Sequence, residues 1–169
     1  MDVETAIRAR RTHKAFGPDP VDPQTLGDLL DLARFAPNHK LTQPWRFRVL
    51  GPQTRAAIDA LVGENEAAKL RRAPTLVLAT ALLSGEPVTD EEDLQAVAAG
   101  VYSILLGATA RGLASYWRTP AAFTEPAVRE LLGLEPAERM VALIHLGPAA
   151  GEPPGKERDP LESVVGFLP

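Results

Sequence analysis

The chain has 169 residues, of which 45% are hydrophobic and 24% charged, with a formal net charge of −4 at pH 7. This length fits one domain with a continuous core over residues 1–169, and the negative charge argues against a general nucleic-acid-binding protein, which needs a basic surface. The absence of cysteine excludes disulfides, thiolate nucleophiles and cysteine-ligated clusters. Because His13, His39 and His145 lack metal-ligand spacing, we expect no protein-bound metal.

The beginning of the chain is acidic and is not followed by an apolar run, so we predict no signal peptide. The longest apolar stretch, residues 76–83, is too short to span a bilayer. We therefore expect a cytoplasmic protein without a membrane partner.

Hydrophobic periodicity predicts helices interleaved with four strands, an order that favours a central sheet surrounded by helices. The predicted helices cover residues 3–10, 22–36, 53–70 with a break near Gly63, 90–111 and 125–133. The predicted strands cover residues 45–50, 75–83, 113–117 and 140–146, and the second should be buried on both faces.

The helix over residues 90–111 is predicted to begin at a capping box of Thr89 and Glu92 and to end at Gly112. It is apolar around nearly its whole circumference, which predicts a central buried helix. Gly100, Ser103 and Gly107 share one face, where small side chains favour close helix packing. That packing could lie within one subunit or between two.

A short basic segment, Arg10-Arg11-Thr12-His13-Lys14, follows the first predicted helix. Cations are common at the carboxyl end of a helix, so taken alone the segment could be a solvated helix end. A second basic pair, Lys156 and Arg158, lies in a proline-rich tail where no helix needs a charged face. The two clusters could converge on one dianion, because arginine offers bidentate geometry for phosphate.

Two further segments collect polar side chains next to apolar elements. Asn38, His39, Thr42 and Gln43 lie in the loop before the first strand, in a type of position where binding residues are common, although the loop could equally be a plain connection anchored by Trp45. The other segment is Trp117-Arg118-Thr119, at the carboxyl end of a predicted strand, where ligands of sheet proteins often bind.

These segments, taken in order, resemble the motifs of the FMN-dependent nitroreductase family, in particular its short single-domain branch. The resemblance rests on the basic start, the Ala-Pro-Asn-His-Lys-x-x-Gln-Pro-Trp stretch, the Trp-Arg-Thr segment and the Lys-x-Arg tail, and it covers essentially the whole chain. It implies an α+β nitroreductase-like fold, with a central mostly antiparallel sheet surrounded by helices, in an interlocked homodimer with FMN at the subunit interface.

The resemblance also implies roles for individual residues. Arg10 and Thr12 would hold the FMN phosphate and ribityl end together with Lys156 and Arg158, and Lys14 would lie near flavin N1 and the C2 carbonyl. The full set of implied FMN-binding residues is Arg10, Arg11, Thr12, Lys14, Phe35, Asn38, His39, Trp117, Arg118, Thr119, Lys156 and Arg158. Arg11 also has a purely structural interpretation, while His13 and Lys69 remain undecided.

Phe35, Asn38 and His39 would come from the partner subunit and cover the flavin ring, and Trp117, Arg118 and Thr119 would border its other side. The implied activity is electron transfer from NAD(P)H through flavin N5 to a nitroaromatic, quinone or related acceptor in two half-reactions, with no catalytic residue assigned. One alternative is a flavin-binding or flavin-handling protein whose FMN is substrate or sensor. Another is a non-enzymatic interaction protein with a basic surface patch.

Overall fold

The computed structural model describes residues 1–168. Four strands form one antiparallel sheet in the order β1-β2-β4-β3. Their bounds are Trp45–Val49 for β1, Thr75–Leu82 for β2, Leu113–Arg118 for β3 and Glu138–Pro148 for β4. The helices are α1 (Val3–Ala9), α2 (Pro23–Ala33), α3 (Pro52–Leu61), α4 (Glu64–Leu70), α5 (Pro87–Ala110) and α6 (Pro126–Leu131), with 3-10 turns at His39–Leu41, Ala121–Thr124 and Leu161–Ser163.

Helices cover both faces of the sheet, so the predicted α+β architecture is confirmed. On one face α2 and α5 pack against residues such as Val77 and Ile144. On the other face α3, α4 and α6 pack against residues such as Leu78 and Leu143. Neighbouring positions on β2 and β4 point to opposite faces, and both faces are covered, which explains why apolar residues occupy successive positions in both strands, as in residues 76–79 of β2 and 140–144 of β4.

The predicted start of α5 was wrong. The helix begins at Pro87, and its N-cap is Glu86, whose carboxylate accepts the backbone N–H of Val88 and of Thr89. Asp90 accepts instead from the backbone of Ser84 in the preceding turn. Proline is preferred in the first turn, so Pro87 was the better start signal than the capping-box pattern.

The small residues on α5 provide close packing within the chain. A Cβ atom on Gly100 would lie 3.0 Å from the backbone oxygen of Ala33 and 3.2 Å from its Cβ, and one on Gly107 would meet Leu29 and Leu32. These glycines therefore let α2 approach α5. Among the described residues α5 is also the one helix long and apolar enough to cross a membrane, by length and composition, but half of that stretch is buried in the fold.

Replacing Gly100 by valine is expected to lower the free energy of unfolding by about 2 kcal/mol, because the backbone of α2 must move to admit the side chain. Gly27 on α2 is a matched control, since nothing lies within 4 Å of a Cβ placed there. Gly27→Val should change stability by less than about 0.5 kcal/mol. Urea unfolding of both variants tests this contact, and equal effects would contradict it.

A buried ion pair joins β1 to β4 across the intervening strand β2. Glu138 at the start of β4 is fully buried, and its carboxylate accepts from Arg48 of β1 at 2.6 and 2.7 Å and from the hydroxyl of Thr80. Burial by itself would raise the pKa of Glu138, but the hydrogen bonds from Arg48 and Thr80 outweigh it and lower the pKa to about 2.

Candidate functional site

A cavity of about 1000 Å³ lies where the beginning and the end of the chain meet at β3. Its walls are residues 7, 8 and 10–15, Tyr116 and, in the tail, residues 150–154, Lys156 and Arg158. The cavity brings together six of the predicted site residues from both ends of the sequence: Arg10, Arg11, Thr12, Lys14, Lys156 and Arg158. The predicted convergence of the two basic clusters is thus present within one chain.

Local structure explains how the basic segment reaches this place. The helix α1 begins at Asp2, which accepts the backbone N–H of Thr5 at 2.9 Å, and its helical hydrogen bonding ends at Arg10. The backbone then extends, and His13 donates its N–H to the carbonyl of Ser115 in β3 at 3.0 Å. A bridge between Phe16 and Ala149 fixes the same segment beside the start of the tail.

The walls of the cavity are strongly cationic. Arg8, Arg10, Lys14, Lys156 and Arg158 form no salt bridge with any acidic residue of the described part of the chain. Glu152 is the one carboxylate among the described wall residues. Cations left without a protein partner around one concave surface are suited to a polyanionic ligand, and a phosphate monoester accepts several charge-assisted hydrogen bonds.

Arg11 differs from its neighbours in how its side chain is used. Its Nη1 donates to the carbonyl oxygens of Arg8 at 2.5 Å and Arg10 at 3.0 Å, at the carboxyl end of α1. The guanidinium therefore satisfies carbonyls that have no partner within the helix. This contact supports the structural interpretation of Arg11. The neighbouring His13 is partly buried, which lowers its pKa although the charge of Glu152 opposes the shift.

Tyr116 is a wall residue that the sequence did not single out. Its ring lies 5.7 Å from that of His145 on β4, which in turn is 6.4 Å from the ring of Phe16. His145 is fully buried, and its Nε2 lies 3.3 Å from the carbonyl oxygen of Lys69. Burial, with a further contribution from the charge of Arg118, lowers the pKa of His145 to about 4, so the imidazole is neutral at pH 7.

The segment at the end of β3 does not line the cavity. Trp117 packs against the core and donates its Nε1–H to the carbonyl of Val141 at 3.1 Å. Arg118 donates to Glu66 at 2.7 Å, and Glu66 also pairs with Lys69 at 3.3 Å. The second terminal nitrogen of Arg118 is buried and has no partner in the described part of the protein. Thr119 is exposed.

Phe35, Asn38 and His39 also lie outside the cavity of their own chain, in the loop between α2 and β1. The side chain of Phe35 is 79% exposed, and His39 is exposed. Asn38 is partly buried and hydrogen-bonds within the loop. One chain therefore assembles the cationic part of the predicted site. The contact with the flavin ring that was predicted for Phe35, Asn38 and His39 would need a second chain.

Sequence reasoning missed three parts of the cavity wall: Ile7 and Arg8 on α1, Tyr116 on β3, and residues 150–154 of the tail. The alternation of side chains along β3 contained a signal for Tyr116, because Trp117 packs into the core on the opposite face. No comparable signal exists for residues 150–154, which contribute by lying along the basic segment.

Comparison with known proteins agrees with this architecture. The sequence model of the nitroreductase family matches residues 7–69 and 63–148. The Bacillus subtilis protein YfhC, provisionally named an NAD(P)H nitroreductase, is 26% identical over 92% of this chain and 88% of its own length. The crystal structure of a nitroreductase-like family protein from Bacillus cereus superposes with a TM-score of 0.89, at 25% identity over 99% of this chain and 96% of that chain.

A third relative was solved with a ligand. The structure of a Desulfovibrio desulfuricans protein, provisionally named a nitroreductase and described as a complex with FMN, superposes with a TM-score of 0.81, at 24% identity over 99% of this chain and 96% of that one. The likeness in fold extends over the whole length of both chains. With the family match covering most of the sequence, the predicted resemblance is confirmed: the chain belongs to the nitroreductase family.

Proposed function

We propose that the chain is a single-domain FMN-dependent oxidoreductase that takes electrons from NAD(P)H and passes them to nitroaromatic, quinone or related acceptors in two half-reactions. Membership of the nitroreductase family supports an oxidoreductase. The observation that carries the FMN assignment is the cavity, in which Arg10, Lys14, Lys156 and Arg158 meet without acidic partners among the described residues. The FMN complex of the Desulfovibrio relative points the same way.

In this proposal the cationic wall binds the cofactor by its phosphate. Arg10 and Arg158 supply bidentate donors, Lys156 adds a point charge, and the Thr12 hydroxyl bonds the ribityl end. Lys14 lies four residues after Arg10 and two after Thr12, and it would bind near N1 and the C2 carbonyl. A cation there stabilises negative charge in that part of the ring and so favours reduction.

FMN, when bound, supplies the hydride-accepting N5 centre, and the protein positions the ring and excludes water. Trp117, Arg118 and Thr119 border the ring in the proposal, and the contacts of Trp117 with Val141 and of Arg118 with Glu66 hold that segment in place. The partner's Phe35, the partner's Asn38 and the partner's His39 cover its other side. No side chain of the chain is assigned as a general acid or base.

Two exposed apolar surfaces support the proposed homodimer. On α5 a stripe of small and apolar side chains that includes Ala98, Ala99 and Tyr102 is partly open to solvent. In the tail, Phe167 and Leu168 are 94% and 92% exposed. Contiguous exposed apolar surface marks interaction sites in soluble proteins. A second copy of the chain that packs on the helix and is embraced by the tail would cover both.

Purification tests the proposal directly. We expect a yellow dimeric protein that releases FMN rather than FAD, and that oxidises NAD(P)H steadily when a quinone or nitroaromatic acceptor is added. A protein that binds FMN but shows little steady oxidation with any acceptor would favour the flavin-handling alternative. A colourless protein that does not take up added FMN would contradict the proposal, and an FMN-loaded monomer would contradict the shared site. The cytoplasmic location stays a prediction.

A further inference from the structure

The loop between α2 and β1 has an unusual backbone. Lys40, Leu41 and Gln43 have φ angles of 56°, 52° and 49°, in the left-handed region that residues other than glycine seldom adopt. Each such residue costs free energy, and the conformation persists only where surrounding contacts hold it. Strain of this kind is concentrated at functional sites. Contacts with the rest of the protein must therefore hold the loop in this conformation.

The amide of Asn38 is one of these contacts. Its Nδ2 donates to the hydroxyl of Thr42 at 2.9 Å, and its Oδ1 accepts the backbone N–H of Gln43 at 2.7 Å. Both ends of the amide are thus used to close the loop on itself. This geometry gives Asn38 a part in shaping the loop, besides the flavin contact proposed for it.

The second contact comes from α5, more than fifty residues further along the chain. Asp93 is 3% exposed, and its carboxylate accepts from the hydroxyl of Thr42 at 2.5 Å and from Nδ2 of Asn38 at 3.5 Å. Among the described residues no cation pairs with it. A buried carboxylate without a cation is costly, and both of its hydrogen bonds go to the strained loop.

In this loop conformation the side chain of His39 is exposed to solvent. His39 begins the 3-10 turn His39–Leu41 and forms no hydrogen bond within the described part of the chain. Leu41 and Phe35 of the same loop are 75% and 79% exposed, although both are large and apolar. A loop that exposes an imidazole together with large apolar side chains is suited to packing on a flat ring.

We propose that Asp93 is a positioning residue, which through Thr42 and Asn38 holds the loop so that His39 is fixed for contact with the FMN of the neighbouring subunit. This inference rests on the proposed function. It predicts that Asp93 contributes to FMN binding only through His39. A merely structural role would instead lower stability and leave any effect on FMN independent of His39.

A double-mutant cycle separates these possibilities. Apoprotein is titrated with FMN, and the dissociation constant is read from the change in flavin fluorescence for wild type, Asp93→Ala, His39→Ala and the double variant. We expect each single change to weaken binding about tenfold and the double variant to be no weaker than His39→Ala, because the two residues act as one unit. The visible circular dichroism of bound FMN should change in the same way for both single variants.

Controls make each outcome decisive. Glu91→Ala removes an exposed carboxylate from the same turn of α5 and should bind FMN as wild type does. If Asp93→Ala does not fold, Thr42→Val at the exposed end of the same contact takes its place in the cycle. Additive losses of about a hundredfold in the double variant, or wild-type affinity in Asp93→Ala, overturn the role of Asp93 alone. Failure of wild type to bind FMN overturns the proposed function and this inference with it.

Discussion

Replacing Arg158 by alanine is expected to weaken FMN binding by about ten- to a hundredfold, and Arg10→Ala should have an effect of the same size. Each guanidinium supplies charge-assisted hydrogen bonds to the phosphate in our proposal, and the loss of one such contact costs about 1.5–3 kcal/mol. Titration of the apoprotein with FMN at two salt concentrations measures the change, and the losses should shrink as salt rises.

Arg72 provides a charge-matched control for these variants. It is exposed, it lies outside the cavity, and its side chain forms no hydrogen bond with the described residues. Arg72→Ala should leave FMN affinity unchanged. If Arg10→Ala and Arg158→Ala also bind FMN as wild type does, the phosphate does not lie in this cavity. If all three variants weaken binding equally, FMN affinity depends on the net charge of the protein and not on a phosphate site in this cavity.

Replacing Glu138 by glutamine is expected to lower the free energy of unfolding by about 3 kcal/mol at pH 7. The substitution leaves Arg48 without its carboxylate, and removing one partner of a buried ion pair costs about 3–5 kcal/mol. Glu130 on α6 is exposed, so Glu130→Gln is the matched control and should change stability by less than about 0.5 kcal/mol. Urea unfolding of both variants at the same pH tests the difference.

The effect of Glu138→Gln should depend on pH. The pKa of Glu138 is about 2 in the folded protein, below its ordinary value of 4.5, so the ionised carboxylate favours the folded state above pH 4.5. That contribution is lost as the pH falls from about 4.5 towards 2. The gap in stability between wild type and Glu138→Gln should therefore narrow in this range. An equal gap at pH 7 and pH 3 would show that the charge of Glu138 is unimportant.

Most helices and strands of the protein could be predicted from its sequence, because the apolar patterns and capping residues that indicate them lie within each element. The β2 strand is mostly β-branched and aliphatic, and a strand covered by helices on both faces favours such a composition. The start of α2 was equally plain, since Asp22 accepts the backbone N–H of Thr25 and Pro23 follows it. The start of α5 was mistaken because Glu86 is an unusual cap, and its carboxylate accepts the backbone N–H groups of Val88 and Thr89.

The candidate site could be predicted only in part, because its residues come from distant parts of the sequence and are brought together by the tertiary structure. The convergence of Arg10 with Arg158 was predicted because the basic pair in the tail lies where no helix needs a charged face, which suggested a ligand shared with the first basic cluster. Neither the contact of Asp93 with Thr42 nor that of Arg118 with Glu66 has a sequence pattern, since each joins elements about fifty residues apart. Such contacts follow from how α5 packs against the loop before β1 and how α4 packs against the end of β3, and periodicity does not contain that information.

The position of β1 at one border of the sheet has a consequence for how two chains can associate. A border strand offers unpaired backbone groups to which another chain can add, and charged side chains there oppose such pairing. The short β1 strand carries Arg46, which is exposed, and Arg48, which is committed to Glu138. Sheet-to-sheet growth of the protein into larger aggregates is thus disfavoured at this border, which leaves association to helix faces and the tail.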